Sequence, residues 1–254
     1  MAHDVDAIRE RIATVPHWWH RIEVAPGVVT PGGQDCERLL ELLQIPDDLD
    51  GMRVLDIGTR DGYYAFEMER RGAEVLAIDH VHADQTGFSV VRDIIGSKVE
   101  FKADNVYNLD PDVYGTFDLI LFSGVLYHLR HPLLALDKIW DVSRTGTQVI
   151  VETHVIDEGL VDEDGNMHAL TAFSKHLPGF SIAQFYPGST LGNDFTCHWA
   201  PNMTALVDLM TAAGFDTTRS WQLGTRGGLN ALARDLDPEG QRAVDSAAQQ
   251  GVPT

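Results

Sequence analysis

Short apolar runs alternate with amphipathic segments along the chain from residue 52 onward. The runs have the length of strands, and the segments carry apolar residues at every third or fourth position, which is the period of a helix. Strands are predicted at residues 52–57, 74–79, 99–104, 117–123, 147–155, 214–223 and 228–235. Helices are predicted at residues 63–71, 89–95, 133–142 and 203–214. This alternation predicts an α/β fold, with a doubly wound, mostly parallel seven-stranded sheet covered by helices on both faces.

Three segments fall outside this alternation. Residues 1–50 hold two helical patterns, at 5–13 and 34–43, around an aromatic, Pro- and Gly-rich stretch at 17–33 that favours neither helix nor strand. Residues 157–201 lack periodicity, which is typical of a functional insertion. We therefore predict one domain made of an N-terminal helical arm or lid (1–50), a core that binds a cofactor (51–156), an inserted cap after the fifth strand that binds the acceptor (157–201), a C-terminal helix with strands (202–235) and a loosely held polar tail (236–254).

The charge of the chain narrows the choice of partners. Thirty-eight acidic residues face nineteen Lys and Arg residues, for a net charge of −19. Nucleic-acid binders need a basic footprint, and no basic cluster longer than a pair such as Arg70-Arg71 occurs, so a nucleic-acid substrate is disfavoured. The sequence has no apolar run of about 18 residues and no export signal, so no membrane partner is expected. With only two cysteines, a cytoplasmic location is the simplest expectation.

The turn after the first core strand is the expected place for a cofactor. In open α/β sheets ligands bind at the carboxyl ends of the strands, near the switch point of the strand order. Gly58 and Gly62 border this turn and permit positive φ angles and a close backbone approach. A dinucleotide fingerprint requires a further glycine where this chain has Arg60, and Asp61 is a poor neighbour for phosphates. An NAD-dependent dehydrogenase is therefore the weaker alternative.

Acidic residues at three successive strand ends favour a cationic nucleoside cofactor. Asp56 lies in the first core strand, and Asp79 follows Gly58 by 21 residues, the spacing at which an acid binds ribose hydroxyls. Asp104 and Asn105 end the third strand and offer a carboxylate and an amide to an adenine. S-adenosylmethionine (SAM) carries both a sulfonium and an ammonium group, and Asp56 is placed to attract the latter. We therefore expect SAM.

The stretches VLDIGTRDGYY, AIDH, KADN and FDLILFSGVLYHLRHP resemble the motifs of class I SAM-dependent methyltransferases. WHRIEVAPGVVTPG, VETHVID and FYPG…HWAPN further resemble the branch around the tRNA uridine-5-oxyacetate carboxymethyltransferases. The resemblance covers most of residues 17–232 and implies a Rossmann-like fold and SAM as cofactor. It implies that Ser123 and Tyr127 lie near the methionine end of the cofactor, and that six residues contact the cofactor: Asp56, Gly58, Gly62, Asp79, Asp104 and Asn105. Thr59, Asp61 and His128 are predicted as further cofactor-binding residues.

The departures from that branch favour a small acceptor. The tRNA enzymes use carboxy-SAM and hold its extra carboxylate partly through lysines before the first core strand. Residues 14–51 of this chain contain no lysine. Plain SAM with a small hydroxylated acceptor, a sugar or glycosylated metabolite, therefore fits better than tRNA with carboxy-SAM. A non-catalytic SAM-binding subunit is a further alternative, and the arm makes a homodimer conceivable.

Methyl transfer to a hydroxyl requires a base, and histidine is the usual one. His154 ends the fifth core strand, so we predict it as the base, with Glu152 on the same strand face orienting it and Tyr127 lining the methyl path. Each also has a structural interpretation, His154 as a satisfied strand-end residue and Glu152 as a buried carboxylate tied to amides. His128 is the second candidate base, although a His at that position often shapes the cofactor wall.

Residues of the cap are predicted to bind the acceptor. Aromatic faces beside amides and carboxylates suit a sugar, although aromatics in a cap also form its own small core. The predicted acceptor residues are Tyr186, Asp194, His198, Trp199 and Asn202. Glu152, Asp157, Asp194 and His198 lack a spacing that requires a metal, so none is expected.

Overall fold

The computed structural model describes residues 5–170 and 179–235. The predicted tail (236–254) and part of the predicted cap lie outside these ranges. The helices are α1 (Val5–Ala13), α2 (Cys36–Leu43), α3 (Tyr63–Arg70), α4 (Phe88–Ile95), α5 (Pro111–Tyr114), α6 (Pro132–Asp141) and α7 (Met203–Ala212). The strands are β1 (Glu23–Ala25), β2 (Val28–Val29), β3 (Arg53–Ile57), β4 (Glu74–Asp79), β5 (Glu100–Ala103), β6 (Phe117–Ser123), β7 (Ser143–His154), β8 (Gly159–Val161), β9 (Met167–Ala169), β10 (Ala183–Phe185), β11 (Trp199–Pro201), β12 (Phe215–Leu223) and β13 (Arg226–Ala233).

A seven-stranded, mostly parallel sheet forms the centre of the fold. Its strand order is β12-β13-β7-β6-β3-β4-β5. β3 pairs in parallel with β4 and β6, and β4 pairs in parallel with β5, whereas β13 runs antiparallel to both β7 and β12. The predicted Rossmann-like fold is thereby confirmed. The apolar run of β6 explains its place, since all of its residues except Asp118 and Ser123 are buried.

Two regions predicted as irregular contain short strands. Within residues 17–33, β1 and β2 form a hairpin around Gly27, whose φ is +75°. In the predicted cap, β8 pairs with β9 and β10 pairs with β11. Strands of two or three residues are too short for a period to emerge, so the prediction of irregular structure was wrong there. Strand β7 also begins at Ser143, four residues before the predicted start, because residues 144–146 are exposed and give no apolar signal.

The chain divides into two compact units. Of the described residues, unit 1 comprises 5–108 and 117–123, and unit 2 comprises 109–116, 124–170 and 179–235. In unit 1 the Phe88 ring packs at 5.0 Å from Phe66 and 4.9 Å from Phe101, measured between ring centroids. In unit 2 a smaller cluster around Ile156, Tyr186 and Ala200 is almost completely buried. No helix in the described ranges is long and apolar enough to cross a membrane.

Candidate functional site

The glycine turn of unit 1 connects β3 to α3. Three of its residues have left-handed backbone conformations, with φ of +79° at Gly58, +51° at Arg60 and +91° at Gly62. The Gly58 amide donates to the Ile78 carbonyl at 2.8 Å, which fixes the turn to the end of β4. A Cβ atom on Gly62 would lie 2.4 Å from the Phe66 ring. Glycine is therefore required at position 62 by both backbone conformation and packing.

Asp56 carries a buried oxygen atom that no group of the described protein satisfies. The residue is 2% exposed, and its Oδ2 atom has no hydrogen-bond partner there. Burial, together with the nearby carboxylate of Asp79, raises the pKa of Asp56 to about 7. The hydroxyl of Thr59 is likewise buried, and its interaction with the Asp56 carboxyl group lowers that pKa without offsetting the effect of burial. Because an unsatisfied buried polar atom is costly, the Asp56 Oδ2 atom fits a ligand that brings a donor or a cation.

Asp79 and Asp104 lie at the ends of neighbouring strands and are held by backbone amides. The two oxygens of Asp79 accept from the amides of Arg60 at 2.9 Å and Val81 at 3.0 Å. The Asp104 amide donates to the Asp79 carbonyl at 2.9 Å, and the Asp104 carboxylate accepts from the Asn105 amide at 2.7 Å. We call Asp56, Thr59, Asp79, Asp104 and Asn105 the cofactor end of unit 1. The Asp79 and Asp104 carboxylates are thus held in place by backbone amides.

Asp61 is occupied by the protein itself. Its side chain is fully buried, and one oxygen accepts from the amides of Trp19 at 2.7 Å and His20 at 2.9 Å. The other oxygen accepts from the Gly87 amide at 2.8 Å. Asp61 therefore ties the N-terminal arm and the start of α4 to the glycine turn, a role that the sequence did not indicate. Its predicted cofactor contact stays a prediction.

His20 is a buried residue of the arm that the sequence analysis missed. It is 5% exposed, its Nδ1 atom has no hydrogen-bond partner in the described residues, and its ring lies edge-on to Tyr64 at 5.8 Å. Burial lowers its pKa to about 4, so the ring is neutral near pH 7. The run HWWHR offered a signal, since a histidine that follows two tryptophans is a candidate for burial.

In unit 2, His154 lies among aromatic rings at the end of β7. Its ring is edge-on to Tyr127 at 6.4 Å and to Tyr186 at 6.3 Å, measured between centroids. Burial, and secondarily the nearby Arg226 cation, lowers the pKa of His154 to about 4. The imidazole is therefore neutral near pH 7 and able to accept a proton, although as a weak base.

Glu152 forms an ion pair with Arg226, a residue that the sequence analysis missed. Glu152 is completely buried, and its carboxylate accepts from the Arg226 guanidinium. That guanidinium also lies 5.1 Å from the centroid of the Tyr127 ring. Although burial alone would lower the pKa of Arg226, the carboxylate of Glu152 raises it. A glutamate inside the apolar run VIVETHV was the available signal, since a carboxylate buried there needs a cation.

We call Tyr127, Glu152, His154, Tyr186 and Arg226 the ring cluster of unit 2. Tyr127 is mostly buried, and burial raises its pKa, so its phenol stays protonated at neutral pH. Arg226 lies directly opposite His154 in the antiparallel β13–β7 pair. That Glu152 orients His154 stays a prediction, whereas its contact with Arg226 is part of the structure.

The predicted acceptor residues divide into buried and half-exposed ones. Trp199 is 4% exposed and its Nε1 atom donates to the Leu129 carbonyl at 2.9 Å. Asn202 caps α7, because its Oδ1 atom accepts from the Ala205 amide at 2.9 Å while its Nδ2 atom donates to the Phe180 carbonyl. These contacts give both residues structural roles, so their predicted contacts with an acceptor stay predictions.

Tyr186, Asp194 and His198 are placed differently. Tyr186 is 3% exposed, and its hydroxyl has no hydrogen-bond partner in the described residues. Asp194 and His198 are half-buried. Of the residues predicted for the acceptor, Tyr186 alone belongs to the ring cluster. Ser123, predicted near the methionine end, lies half-buried at the end of β6 in unit 1, and His128 stacks on Tyr127 in unit 2 at 4.2 Å.

Comparison with known proteins points to one family. The sequence profile of a family described as a methyltransferase domain matches residues 33–220. A tRNA U34 carboxymethyltransferase of Desulforapulum autotrophicum is 35% identical over 41% of this chain and 33% of its own length. A magnesium-protoporphyrin O-methyltransferase of Rhodobacter capsulatus is 28% identical over 61% of this chain and 69% of its own. The chain spans between 32% and 59% of the length of the curated tRNA relatives that it matches.

A solved structure shares the fold. The N-terminal domain of EvdMO1, crystallised in the presence of SAH and D-fucose, aligns with a TM-score of 0.59 at 20% identity. The alignment covers 92% of this chain and 97% of that domain. At this identity the likeness shows the fold alone.

Proposed function

The chain belongs to the methyltransferase domain family, and we propose that it moves a methyl group from SAM to a hydroxyl of a small polar acceptor. The preferred acceptor class is a sugar or a glycosylated metabolite. The enzyme is a SAM-dependent methyltransferase, and SAM supplies an electrophilic methyl group on a sulfonium. The nature of the acceptor and the transfer to oxygen are the proposal.

The cofactor end of unit 1 fits this donor. The unsatisfied Asp56 Oδ2 atom suits the ammonium group of the methionine part. Asp79 has both oxygens fixed by amides and keeps lone pairs for the ribose hydroxyls, and Asn105 offers its amide to the adenine. The negatively charged pyrophosphate of a dinucleotide would instead face the Asp56, Asp79 and Asp104 carboxylates, so a dinucleotide fits poorly.

The observation that carries transfer to oxygen is the neutral imidazole of His154 beside Arg226. A hydroxyl must lose its proton as the new bond forms, and a positioned base supplies typically about 10²- to 10⁴-fold in rate. His154 is neutral near pH 7 and can accept that proton, and burial makes it a weaker base than an ordinary histidine. The Arg226 cation stabilises negative charge on the acceptor oxygen, and its pairing with Glu152 keeps it in place. An amine or thiolate acceptor would need neither group.

The negative charge of the chain supports a small acceptor over a nucleic acid. The net charge of −19 opposes binding of a polyanion, and the absence of lysine in residues 14–51 opposes carboxy-SAM as the donor. The second candidate function is carboxymethylation of a tRNA wobble uridine with carboxy-SAM, which the names of several relatives favour. Because the chain spans only part of those relatives, their activity is a proposal for it.

Transfer of an isotopically labelled methyl group tests the two functions against each other. The full chain is incubated with methyl-labelled SAM and either a small-molecule extract or total tRNA, and both fractions are analysed by mass spectrometry. We expect label in an O-methylated small molecule and none in tRNA. The His154→Ala variant serves as the matched control and should lose most of that label. Label in an N- or S-methyl product would overturn transfer to oxygen, and carboxymethylated tRNA formed from carboxy-SAM would establish the second candidate.

A further inference from the structure

Three side chains of different chemistry converge in unit 2, outside the ring cluster. The Nδ1 atom of His128, a carboxylate oxygen of Asp194 and the sulfur of Cys197 all lie within 4.8 Å of one another. His128 ends a 3-10 turn at Leu126–His128, whereas Asp194 and Cys197 precede β11. Their convergence is therefore a tertiary feature and not an effect of sequence neighbourhood alone.

The distances among these atoms suit one bound ion. The Cys197 sulfur lies 3.9 Å from the Nδ1 atom of His128. In a tetrahedral zinc site the metal–sulfur bond is about 2.3 Å and the metal–nitrogen bond about 2.0–2.1 Å, which places the two ligand atoms roughly 3.6 Å apart. A shift of a few tenths of an ångström would bring both within bonding distance of the same ion.

The backbone around the three side chains is already ordered. The His198 amide donates to the Tyr127 carbonyl at 2.9 Å, and the Trp199 indole donates to the Leu129 carbonyl at 2.9 Å. These bonds on both sides of His128 hold residues 197–199 against the 3-10 turn. Preordered ligands reduce the entropy that metal binding must overcome.

Thr196 occupies the polar space between the ligands. Its hydroxyl donates to the Asp194 carboxylate at 2.6 Å and lies 2.9 Å from the Nδ1 atom of His128. Its amide donates to the same Asp194 oxygen at 2.8 Å. Thr196 thus orients the carboxylate. Because its hydroxyl proton is given to Asp194, its oxygen accepts from the Nδ1–H group of His128, and an ion that binds Nδ1 replaces this hydrogen bond.

From this geometry we propose that His128, Asp194 and Cys197 bind a single divalent cation of borderline softness, with Zn²⁺ as the best match. A thiolate excludes Mg²⁺ and Ca²⁺, which prefer oxygen ligands alone. An imidazole and a carboxylate beside one thiolate form a ligand set that zinc accepts. Three protein ligands leave the fourth tetrahedral position to water or another small ligand. The sequence analysis expected no metal, because it considered acids and His198 without Cys197.

Ion binding needs one deprotonation and one tautomer. Cys197 is 4% exposed and transfers its thiol proton to solvent as the sulfur–metal bond forms. The Nδ1 atom of His128 lies 3.2 Å from the Thr196 carbonyl oxygen and carries a ring proton there, so ion binding requires this proton to move to Nε2 and leave the Nδ1 lone pair to the ion. The inference does not depend on the proposed methyl transfer, since no ring-cluster residue is a ligand.

Titration with Co²⁺ tests the site through its spectrum. The full chain is stripped with a chelator and titrated with Co²⁺, which gives a thiolate-to-cobalt charge-transfer band only if sulfur binds the ion. We expect one equivalent of Co²⁺ with that band, and Zn²⁺ should displace it. In the Cys197→Ser variant the band should disappear and the affinity should fall by tenfold or more. Asp194→Asn should keep the band but weaken binding by at least tenfold.

Cys36→Ser is the matched control, because Cys36 is the only other cysteine in the sequence. It should leave both the band and the affinity unchanged. A band that disappears with Cys36 and persists without Cys197 would contradict the proposal, as would equal Co²⁺ affinity in all variants or no band in the unaltered chain. Circular dichroism identifies any misfolded variant. If Cys197→Ser is misfolded, Asp194→Asn and the unaltered chain still decide between these outcomes.

Discussion

The cofactor end of unit 1 and the ring cluster of unit 2 manage buried charge in opposite ways. In unit 1 the Asp79 carboxylate at the cofactor end is satisfied by backbone amides, and so is the Asp61 carboxylate of the adjoining glycine turn. In unit 2 the carboxylate of Glu152 is satisfied by the side chain of Arg226, which is distant in sequence. Backbone amides donate to a carboxylate and fix its orientation, whereas an ion pair keeps a cation available for chemistry. The comparison teaches that the first arrangement suits ligand binding and the second suits proton transfer.

The largest effect is expected when the Asp61 carboxylate, which binds three backbone amides in unit 1, is removed. Asp61→Ala leaves three backbone amides without their acceptor in a site with no exposure. An unsatisfied buried donor costs about 1–3 kcal/mol, so we expect a loss of roughly 4 kcal/mol in unfolding free energy. For a chain of this size that is a fall in Tm of about 10 °C. Thermal and denaturant unfolding measure it.

Asp48→Ala is the control for that loss. Asp48 is exposed and accepts from a single amide, that of Asp50. We expect it to cost about 1 kcal/mol or less. If Asp61→Ala is no more destabilising than Asp48→Ala, the carboxylate does not hold the arm.

The next largest effect is expected when the Glu152–Arg226 ion pair of unit 2 is broken. Glu152→Ala leaves Arg226 without its buried partner, and loss of one member of such a pair costs about 3–5 kcal/mol. Because a third of the Arg226 side chain is exposed, water offsets part of this cost, and we expect roughly 3 kcal/mol. Denaturant unfolding of the variant measures it. Glu152→Gln retains an acceptor oxygen and should cost less. A negligible loss for Gln beside the full loss for Ala would show that shape and hydrogen bonding, and not charge, stabilise the site.

The third effect separates chemistry from cofactor binding. His154→Ala should reduce kcat by roughly 10²-fold, about 2.7 kcal/mol of barrier, and leave SAM affinity unchanged. His131→Ala, at the exposed start of α6, should change neither. Since burial lowers the pKa of His154 to about 4, the base is neutral above that value. Activity at saturating SAM should therefore stay constant from pH 8 down to about pH 5 and fall only below it. A fall in activity centred near pH 6.5 would instead show that the base has an ordinary histidine pKa.

The sequence predicted most of the fold, because the alternation of apolar runs with helical patterns located all seven strands of the sheet. The acids Asp79 and Asp104 lie at strand ends as expected, and their contact with the cofactor stays a prediction. Both the alternation and the strand-end acids can be recognised within a short stretch of sequence, so neither requires knowledge of distant contacts. The ring cluster could not be predicted in full, because Arg226 lies 74 residues from Glu152. The partners of Asp61 were missed for a related reason, since amides of residues 19, 20 and 87 carry no sequence signal.

The smallest effect is also the most direct test of the central claim, that the cofactor end binds SAM through Asp56. Burial raises the pKa of Asp56 to about 7, so below that pH SAM must displace a proton. Calorimetric titration with SAM should give an affinity about tenfold higher at pH 8 than at pH 6, about 1.4 kcal/mol. Asp56→Asn should bind more weakly and lose this pH dependence. Absence of SAM binding, or the same pH dependence in Asp56→Asn, would contradict the account.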